Sequence, residues 1–342
     1  MDSLTHIAIG ACIGEAFFEK GFGKKAMLWG ALAQSIPDID FITNLWMKTP
    51  EALLAHRGFT HSILFAFLII PIFALLAEKI HRPHNISFKN WLLFFGVAVF
   101  VHLFLDAFNN YGIGWFEPLS HQRFSFNVIY VADPFFSFFP ILALAILLYK
   151  HRLDPMRTFW WKLGLYFPLI YLSYTVINKI KINEVVEQNL SIRKLPFNRY
   201  LTTPAPLQNW LWYVVIESDL GYQVGYYSLF DQSSKIQLHY FPKNHALAID
   251  LDNDESYQKL VRFSHHYYTL EMQNGQHIFN DLRFGQTFGW QNPSGNFVFH
   301  YILTKPQENA MIIQRGRFSN WNKSQMIYFF KRVFGRSNLR LK

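Results

Sequence analysis

Apolar residues follow two patterns along this chain. Up to residue 178 they gather into six near-continuous runs, at 4–18, 26–46, 61–78, 91–108, 134–149 and 158–178. Beyond it, shorter stretches (WLWYVVIES, YQVGYYSLF, KIQLHYF, YTLEM, NFVFHYILT) are rich in Tyr, Val, Ile and Phe and are bounded by Gly, Asn and Asp. A helix that crosses a bilayer needs roughly 20 mostly apolar residues, with about 17 as a practical minimum. Several runs are therefore short, and the first is the weakest. Singly, each also reads as the core helix of a soluble protein. Six in succession predict a polytopic α-helical membrane domain of about five or six helices over residues 1–178. The later runs predict strands. KINEVVEQNLSIRK (181–194) reads as a short helix before a Pro-rich turn, TTPAP, and DNDESYQKLVRFSHH (252–266) as a helix between strands. Residues 179–342 are thus expected to form a small α+β extramembrane domain.

Composition sharpens this division. Of 342 residues, 51 % are apolar and 16 % charged, against ~25 % charged in an ordinary soluble domain. Residues 1–178 hold 13 Lys/Arg and 11 Asp/Glu, whereas 179–342 hold 19 and 12, so the first half is the oily one. The N-terminal MDSLTHIAIGACIGEAFF has neither the basic flank nor the cleavage site of a signal peptide. Cys12 is the only cysteine, which excludes an intrachain disulfide. Connections 19–25, 79–90 and 150–157 carry nine Lys/Arg, and the alternate connections 47–60 and 109–133 carry three. By the positive-inside rule the first set is cytoplasmic. The N-terminus and everything after residue 178 then fall on the extracytoplasmic side.

That topology gathers the unusual polar residues on one face. Asp2 and His6 open the first helix, PDID (37–40) ends the second, HRGFTHS (56–62) opens the third, HLFLD (102–106) ends the fourth, and Asp133–Pro134 opens the fifth. His102 and Asp106 are four residues apart, as are Asp2 and His6, which stacks each pair on one side of a helix. Imidazole and carboxylate are the usual ligands of zinc and related divalent ions. Simpler readings exist for each element: Asp2 as a helix cap, PDID as a Pro–Asp turn, Thr60 as the cap of the following helix, Arg57 as a membrane-boundary marker, His102 and Asp106 as an isolated pair. One metal site accounts for all of them together.

The order MDSLTH, PDID, HRGFTHS, HLFLD and Tyr111–Gly112 resembles the YdjM-type family of membrane-bound, metal-dependent hydrolases over residues 1 to about 135. RFSFNVIYVADP (123–134) and TTPAPLQNWLW (202–212) are similar to longer members, with less specificity. The resemblance implies a hydrolase of the bacterial inner (cytoplasmic) membrane. It implies His6, Asp38, Asp40, His56, His61, His102 and Asp106 as metal ligands, holding two ions or one ion with a strong outer shell. Zinc is the expected metal, with manganese the alternative. Asp40 is then placed to take a proton from the attacking water, and Arg57 to grip a phosphate or carboxylate with two hydrogen bonds. Glu15 falls toward the opposite face and is a poorer candidate.

No G-x-S-x-G, Walker or H-E-x-x-H motif competes, and DLDND (250–254) lacks the glycine and terminal acid of a calcium loop. His265 and His266 read as surface residues. The final 28 residues carry eight Lys/Arg and no acid, interleaved with aromatics. A basic, aromatic C-terminal helix suits membrane lipids as partners better than nucleic acid, which is not expected; a solvated face is the plainer reading. The expected function is hydrolysis of an ester or phosphoester in a lipid or membrane-associated substrate. An ion- or proton-coupled transporter and a metal-stabilised membrane scaffold are the alternatives. A transporter places its ligands near the midplane and often shows repeated halves, whereas these clusters sit at helix ends and no repeat is visible.

Overall fold

Four glycines set the first contact of the fold. Helices α1 (Ser3–Phe22) and α2 (Lys24–Ser35) are joined by Gly23 alone, at φ 58°, a left-handed geometry that glycine adopts without strain. They pack backbone to backbone: a Cβ on Gly10 would lie 2.2 Å from the Gly30 carbonyl oxygen, and one on Gly14 2.0 Å from that of Ala26. Small residues permit this approach, as they do between membrane helices generally. The hairpin sets the start of α1 beside the end of α2.

The computed structural model describes residues 1–81, 86–251, 253–303 and 321–336. The chain divides into two compact units, Met1–Leu45 with Ala55–Thr175, and Trp46–Leu54 with Val176–Lys342. The short α3 (Thr49–Ala55) falls almost wholly in the second unit.

The first unit adds α4 (Ile63–His81), α5 (Phe88–Asp106), α6 (Pro134–Tyr149) and the first part of α7 (Met156–Arg193) to the hairpin. The run 26–46, expected as one span, is not one helix. It leaves α-geometry at Ser35, and 3-10 turns over Pro37–Leu45 carry the PDID sequence, because Pro37 supplies no N–H to continue the α-helical pattern. Twelve residues of α2 extend only ~18 Å. Among the described residues, α4 and α5 are long and apolar enough to cross a membrane, while α1 over Ser3–Phe18 and α6 are apolar but shorter. The packing of α4 is inverted relative to a soluble helix. Ala66, Ala74 and Ala77 are buried, whereas Phe67, Leu68, Ile72 and Leu75 are exposed. Small residues inside and large apolar ones outside suit a helix whose outer solvent is lipid.

Two opposite ends of this unit are distinguishable. At one, the basic connections meet: Gly23 approaches Arg152, and the Phe22 ring packs on His81 at 4.6 Å. Near it, buried Glu15 and Arg157 form a bidentate ion pair with both N–O distances 2.6 Å. The other end carries the start of α1, the PDID turns and the end of α5.

The second unit is built on two antiparallel sheets, β1 (Arg199–Pro204), β2 (Leu211–Glu217), β3 (Gly221–Ser228) and β4 (Gln237–Pro242) in the order β1-β2-β3-β4, and β5 (Tyr268–Gln273), β6 (Gln276–Gln286) and β7 (Phe297–Ile302) in the order β5-β6-β7. Strand β2 is buried on both faces. Trp212, Val214 and Ile216 meet Ile182, Val186 and Leu190 of α7, while Tyr213 and Val215 face Leu282 and Phe297 of the second sheet. Helix α8 (Glu255–Phe263) covers the second sheet through Phe263, whose ring packs on Phe284 and Phe299. Helix α9 (Lys323–Val333) closes a smaller core with Phe329 against Trp290.

The helix expected at 181–194 is not separate. It is the second part of the 38-residue α7, since nothing after residue 168 breaks the helical pattern. Strands β1 and β6 were absent from the sequence expectation. Residues of the supposed turn TTPAP end β1, where Pro204 is tolerated on a sheet edge. Strand β6 disguises its apolar alternation with Asp281 and Arg283, which are buried but pair with each other at 2.6 Å beside a bulge.

The α1–α2 contact yields a paired expectation. Gly30→Ala drives a Cβ to 1.9 Å from the Gly10 carbonyl oxygen and is expected to cost about 1–3 kcal/mol by overpacking. Gly96→Ala meets nothing within 4 Å and should be neutral or stabilising by ~0.5–1 kcal/mol. Thermal unfolding of the two variants in detergent, beside the parent, checks both.

Candidate metal centre

Four side chains from three elements meet at the PDID end of the first unit. His61 comes from the 3-10 turn Phe59–His61, His102 and Asp106 from the last turns of α5, and Asp38 from the turns after α2. One donor atom from each lies within 4.8 Å of the other three. His61 Nε2 is 3.2 Å from His102 Nε2, 3.4 Å from Asp38 Oδ1 and 3.5 Å from Asp106 Oδ2. His102 Nε2 is 3.8 Å from Asp38 Oδ1 and 3.7 Å from Asp106 Oδ2. Ligands placed tetrahedrally at 2.0–2.1 Å from an ion are about 3.3 Å apart. Five of the six edges of this group therefore match, within half an ångström, a cage for one ion.

The surroundings turn the right atoms inward. His102 Nδ1 donates to the Gln34 carbonyl at 2.6 Å, which leaves the Nε2 lone pair facing the group. His61 Nδ1 lies 3.1 Å from Asp40 Oδ2, and a carboxylate only accepts, so Nε2 of this ring is likewise free to ligate. Carboxylate or carbonyl support behind a histidine is the usual arrangement around a bound metal. Asp106 Oδ2 has no aligned hydrogen-bond donor although Arg57 Nε is 3.0 Å away. A fully buried carboxylate oxygen left in this state fits a cation ligand.

The other expected ligands stand one layer out. Asp40 accepts from the Arg57 backbone N–H at 2.8 Å and Thr60 Oγ1 at 3.0 Å on one oxygen, and faces His56 Nδ1 at 2.9 Å on the other. Burial alone would raise its pKa, but the hydrogen bonds from His56 and His61 and their charge hold it well below the usual carboxylate range. Asp38 is held low in the same way, the contact with His61 and the charges of His102, His6 and His61 outweighing its burial. His6 lies between Gln34 Oε1 at 2.9 Å and Asp106 Oδ1 at 3.1 Å, its ring stacked on His102 at 3.8 Å. The Met1 amine also touches Asp106 Oδ1. His56 contacts Asp40 and is not among the four converging donors.

Arg57 is buried. Its Nη1 donates to Asn109 Oδ1 at 2.7 Å and its Nη2 to the Met1 carbonyl at 3.1 Å, with Tyr111 stacked at 5.3 Å. Its φ of 58° is unusual for a side chain of this size. That left-handed turn lets the backbone N–H reach Asp40 while the guanidinium reaches Asp106. For Asp2 the simpler reading holds. Asp2 caps α1 by accepting from Thr5 N, and Asp133 caps α6 and accepts from the Tyr171 hydroxyl at 3.0 Å. Thr60, whose simpler reading was the cap of α4, bonds Asp40 instead; Ser62 Oγ accepts from Phe65 N at the start of that helix. Sequence reasoning missed Gln34 and Asn109. Gln34 left a signal, a lone amide in an apolar helix one turn before PDID, and Asn109 another, three residues after HLFLD.

The model of the family described as YdjM inner membrane protein matches residues 1–182. The chain belongs to this family. All the residues of the candidate centre lie in the matched part, and the sheets of the second unit lie beyond it. Over 123 residues this YdjM-family chain is 32 % identical to inner membrane protein YbcI of Escherichia coli (strain K12), a match covering 35 % of the chain and 69 % of that relative. Over 156 residues it is 33 % identical to the uncharacterized protein YfhP of Bacillus subtilis (strain 168), covering 43 % of the chain but only 46 % of that relative. No solved structure matches. Family membership and the two long apolar helices make this a membrane protein.

The layering separates the variants. Asp40→Asn should weaken divalent-metal affinity by about 10–100-fold, the usual effect of losing an outer-layer partner, while His56→Ala should retain the metal at full stoichiometry. Titration of the metal-stripped protein with zinc, followed by calorimetry, distinguishes four ligands from seven.

Proposed function

We propose that this protein is a membrane-embedded, metal-dependent hydrolase that cleaves an ester or phosphoester of a lipid or membrane-associated substrate. The observation that carries this reading is the four-donor group, with its two imidazoles held in the ligating tautomer. Asp38, His61, His102 and Asp106 would hold one divalent ion, zinc by donor type or manganese. When bound, the ion supplies Lewis acidity for activating water and polarising the scissile group.

The chain's own residues divide the remaining work. Asp40 and the Gln34 carbonyl orient the two histidines. Arg57 offsets the charge of Asp106 while His6 contacts its other oxygen, so in this reading Arg57 balances the site and does not grip the substrate. Asp38 is the ligand nearest solvent, its side chain 15 % exposed, and its second oxygen is the better placed to receive the water's proton. Asp40, whose oxygens are already engaged, then acts by orienting His61. Beside Asp38 the turns expose Ile39, Phe41 and Leu45. An apolar rim around the open ligand suits a substrate with an acyl or prenyl portion.

The membrane arrangement follows from the same map. The chain is read as a multi-pass protein of the bacterial inner membrane, with its three basic connections in the cytoplasm and the candidate centre on the extracytoplasmic face. The domain of residues 179–342 is assigned to that outer side as well.

A second reading, a metal-stabilised scaffold, is favoured by the donor count, because four protein ligands can close a tetrahedral ion. Metal content and turnover separate the two. Elemental analysis of detergent-purified protein is expected to show one zinc or manganese per chain, lost in His61→Ala and Asp106→Ala. Asp38→Asn should keep the fold and reduce hydrolysis of a panel of phospholipids and lipid phosphates by at least about 100-fold. Retained metal with no turnover on any of them would select the scaffold, and no metal after reconstitution would eliminate both.

A further inference from the structure

We propose that the second unit carries a docking site for an anionic phospholipid, in which a cleft takes the phosphate headgroup and an adjoining aromatic ridge enters the acyl layer. The cleft has a volume of about 710 Å³ and lies between the β3–β4 edge, the segment after β6 and the end of α9. Pockets for small ligands run from ~300 to 1,000 Å³, so a glycerophosphate headgroup fits. Its charge is positive. Asp231, its acidic wall, is neutralised by Arg332 through two bonds of 2.7 and 2.8 Å. Lys235 and Arg336 also line it, are exposed, and form no ion pair among the described residues. Tyr226 and Trp290 supply an aromatic wall.

The ridge is fixed to the same place. Gly335 packs on the Phe230 backbone so closely that a Cβ there would meet the carbonyl oxygen at 2.2 Å, and the rings of Phe230 and Phe334 are 5.6 Å apart. Met326 and Phe330 on α9 and Phe334 at its C-cap recur every four residues, with Ile327 beside them, and each of the four is between 46 % and 58 % exposed. Phe329 and Val333 face the protein instead. The helix is therefore apolar on both sides, and its outer stripe is flanked by Lys323 and Lys331.

A soluble-anion site has no use for the ridge, and a contact for another protein has no use for a headgroup-sized cationic cleft behind it. Both suit a lipid surface, where apolar insertion and cationic residues act together. A bilayer is also the partner held at high effective concentration, because the same chain carries the apolar helices. This assignment is independent of the metal centre. Half of the basic residues in the final 28, Arg315, Arg317, Arg340 and Lys342, lie outside the described residues, so the site rests on those named here.

The test uses the full-length protein in nanodiscs of phosphatidylcholine alone or with phosphatidylglycerol, read by amide hydrogen exchange. With phosphatidylglycerol, exchange across 323–336 is expected to slow about 25-fold, at roughly fivefold for each of two exposed cations. The effect should vanish in Lys235→Gln/Arg336→Gln and in Phe330→Ser/Phe334→Ser, with the exchange of β2 unchanged as the measure of an intact fold. Equal exchange in the two disc types would overturn the proposal. So would the same protection from inorganic phosphate added to phosphatidylcholine discs, since that outcome describes a soluble-anion site.

Discussion

A carboxylate with no access to solvent governs the organisation of the first unit. Asp106 sits at the end of an apolar helix, and an unpaired charge there costs several kcal/mol. Arg57 approaches one of its oxygens and His6 the other. Each of these partners must itself be held. Arg57 is fixed by Asn109 and the Met1 carbonyl, and reaches Asp106 only from a left-handed backbone. His6 is placed by α1, whose position depends on the Gly10–Gly30 contact with α2. Gln34, on α2, then holds both His6 and His102. Three buried atoms of this polar network lack an aligned hydrogen-bond partner, Arg57 Nε, Asn109 Nδ2 and Asp106 Oδ2, and the carboxylate oxygen faces the two histidine nitrogens.

The second unit answers a different constraint. Its central strand β2 is buried on both faces, so every residue of WLWYVVI needs an apolar neighbour on one side or the other. Helix α7 meets that need on one face and the second sheet on the other. This is why α7 extends through 38 residues: its second part is the cover of a sheet. The buried pair Asp281–Arg283 shows the cost of placing charge in such a core, since each is tolerated only because it neutralises its neighbour.

Much of the candidate centre was legible because its residues are out of place in an apolar sequence. His102 and Asp106 interrupt α5 at helical spacing, and PDID and HRGFTHS stand at the borders of apolar runs. The five strands β2, β3, β4, β5 and β7 were legible for the same reason, a change of pattern. Asp2 and Asp133 looked like members of the cluster because a capping aspartate and a ligating one are the same residue type at a helix start. Strand β6 was hidden by a charge pair that cancels within the strand.

The sequence by itself determined the division into an oily first half and a strand-rich second half, because hydrophobic pattern is a local property, and its family resemblance implied a set of seven candidate ligands. It could not order those seven. Asp40 and Asp38 are two residues apart on the same turn, yet one backs a histidine and the other faces the four-donor group. His56 and His61 lie on one short segment, and only His61 converges with His102. Which donor points inward depends on backbone direction at Arg57, on the glycine contact that sets α1 against α2, and on where Gln34 then places its carbonyl. Those are distances between segments far apart in the chain, and only the tertiary structure decided them.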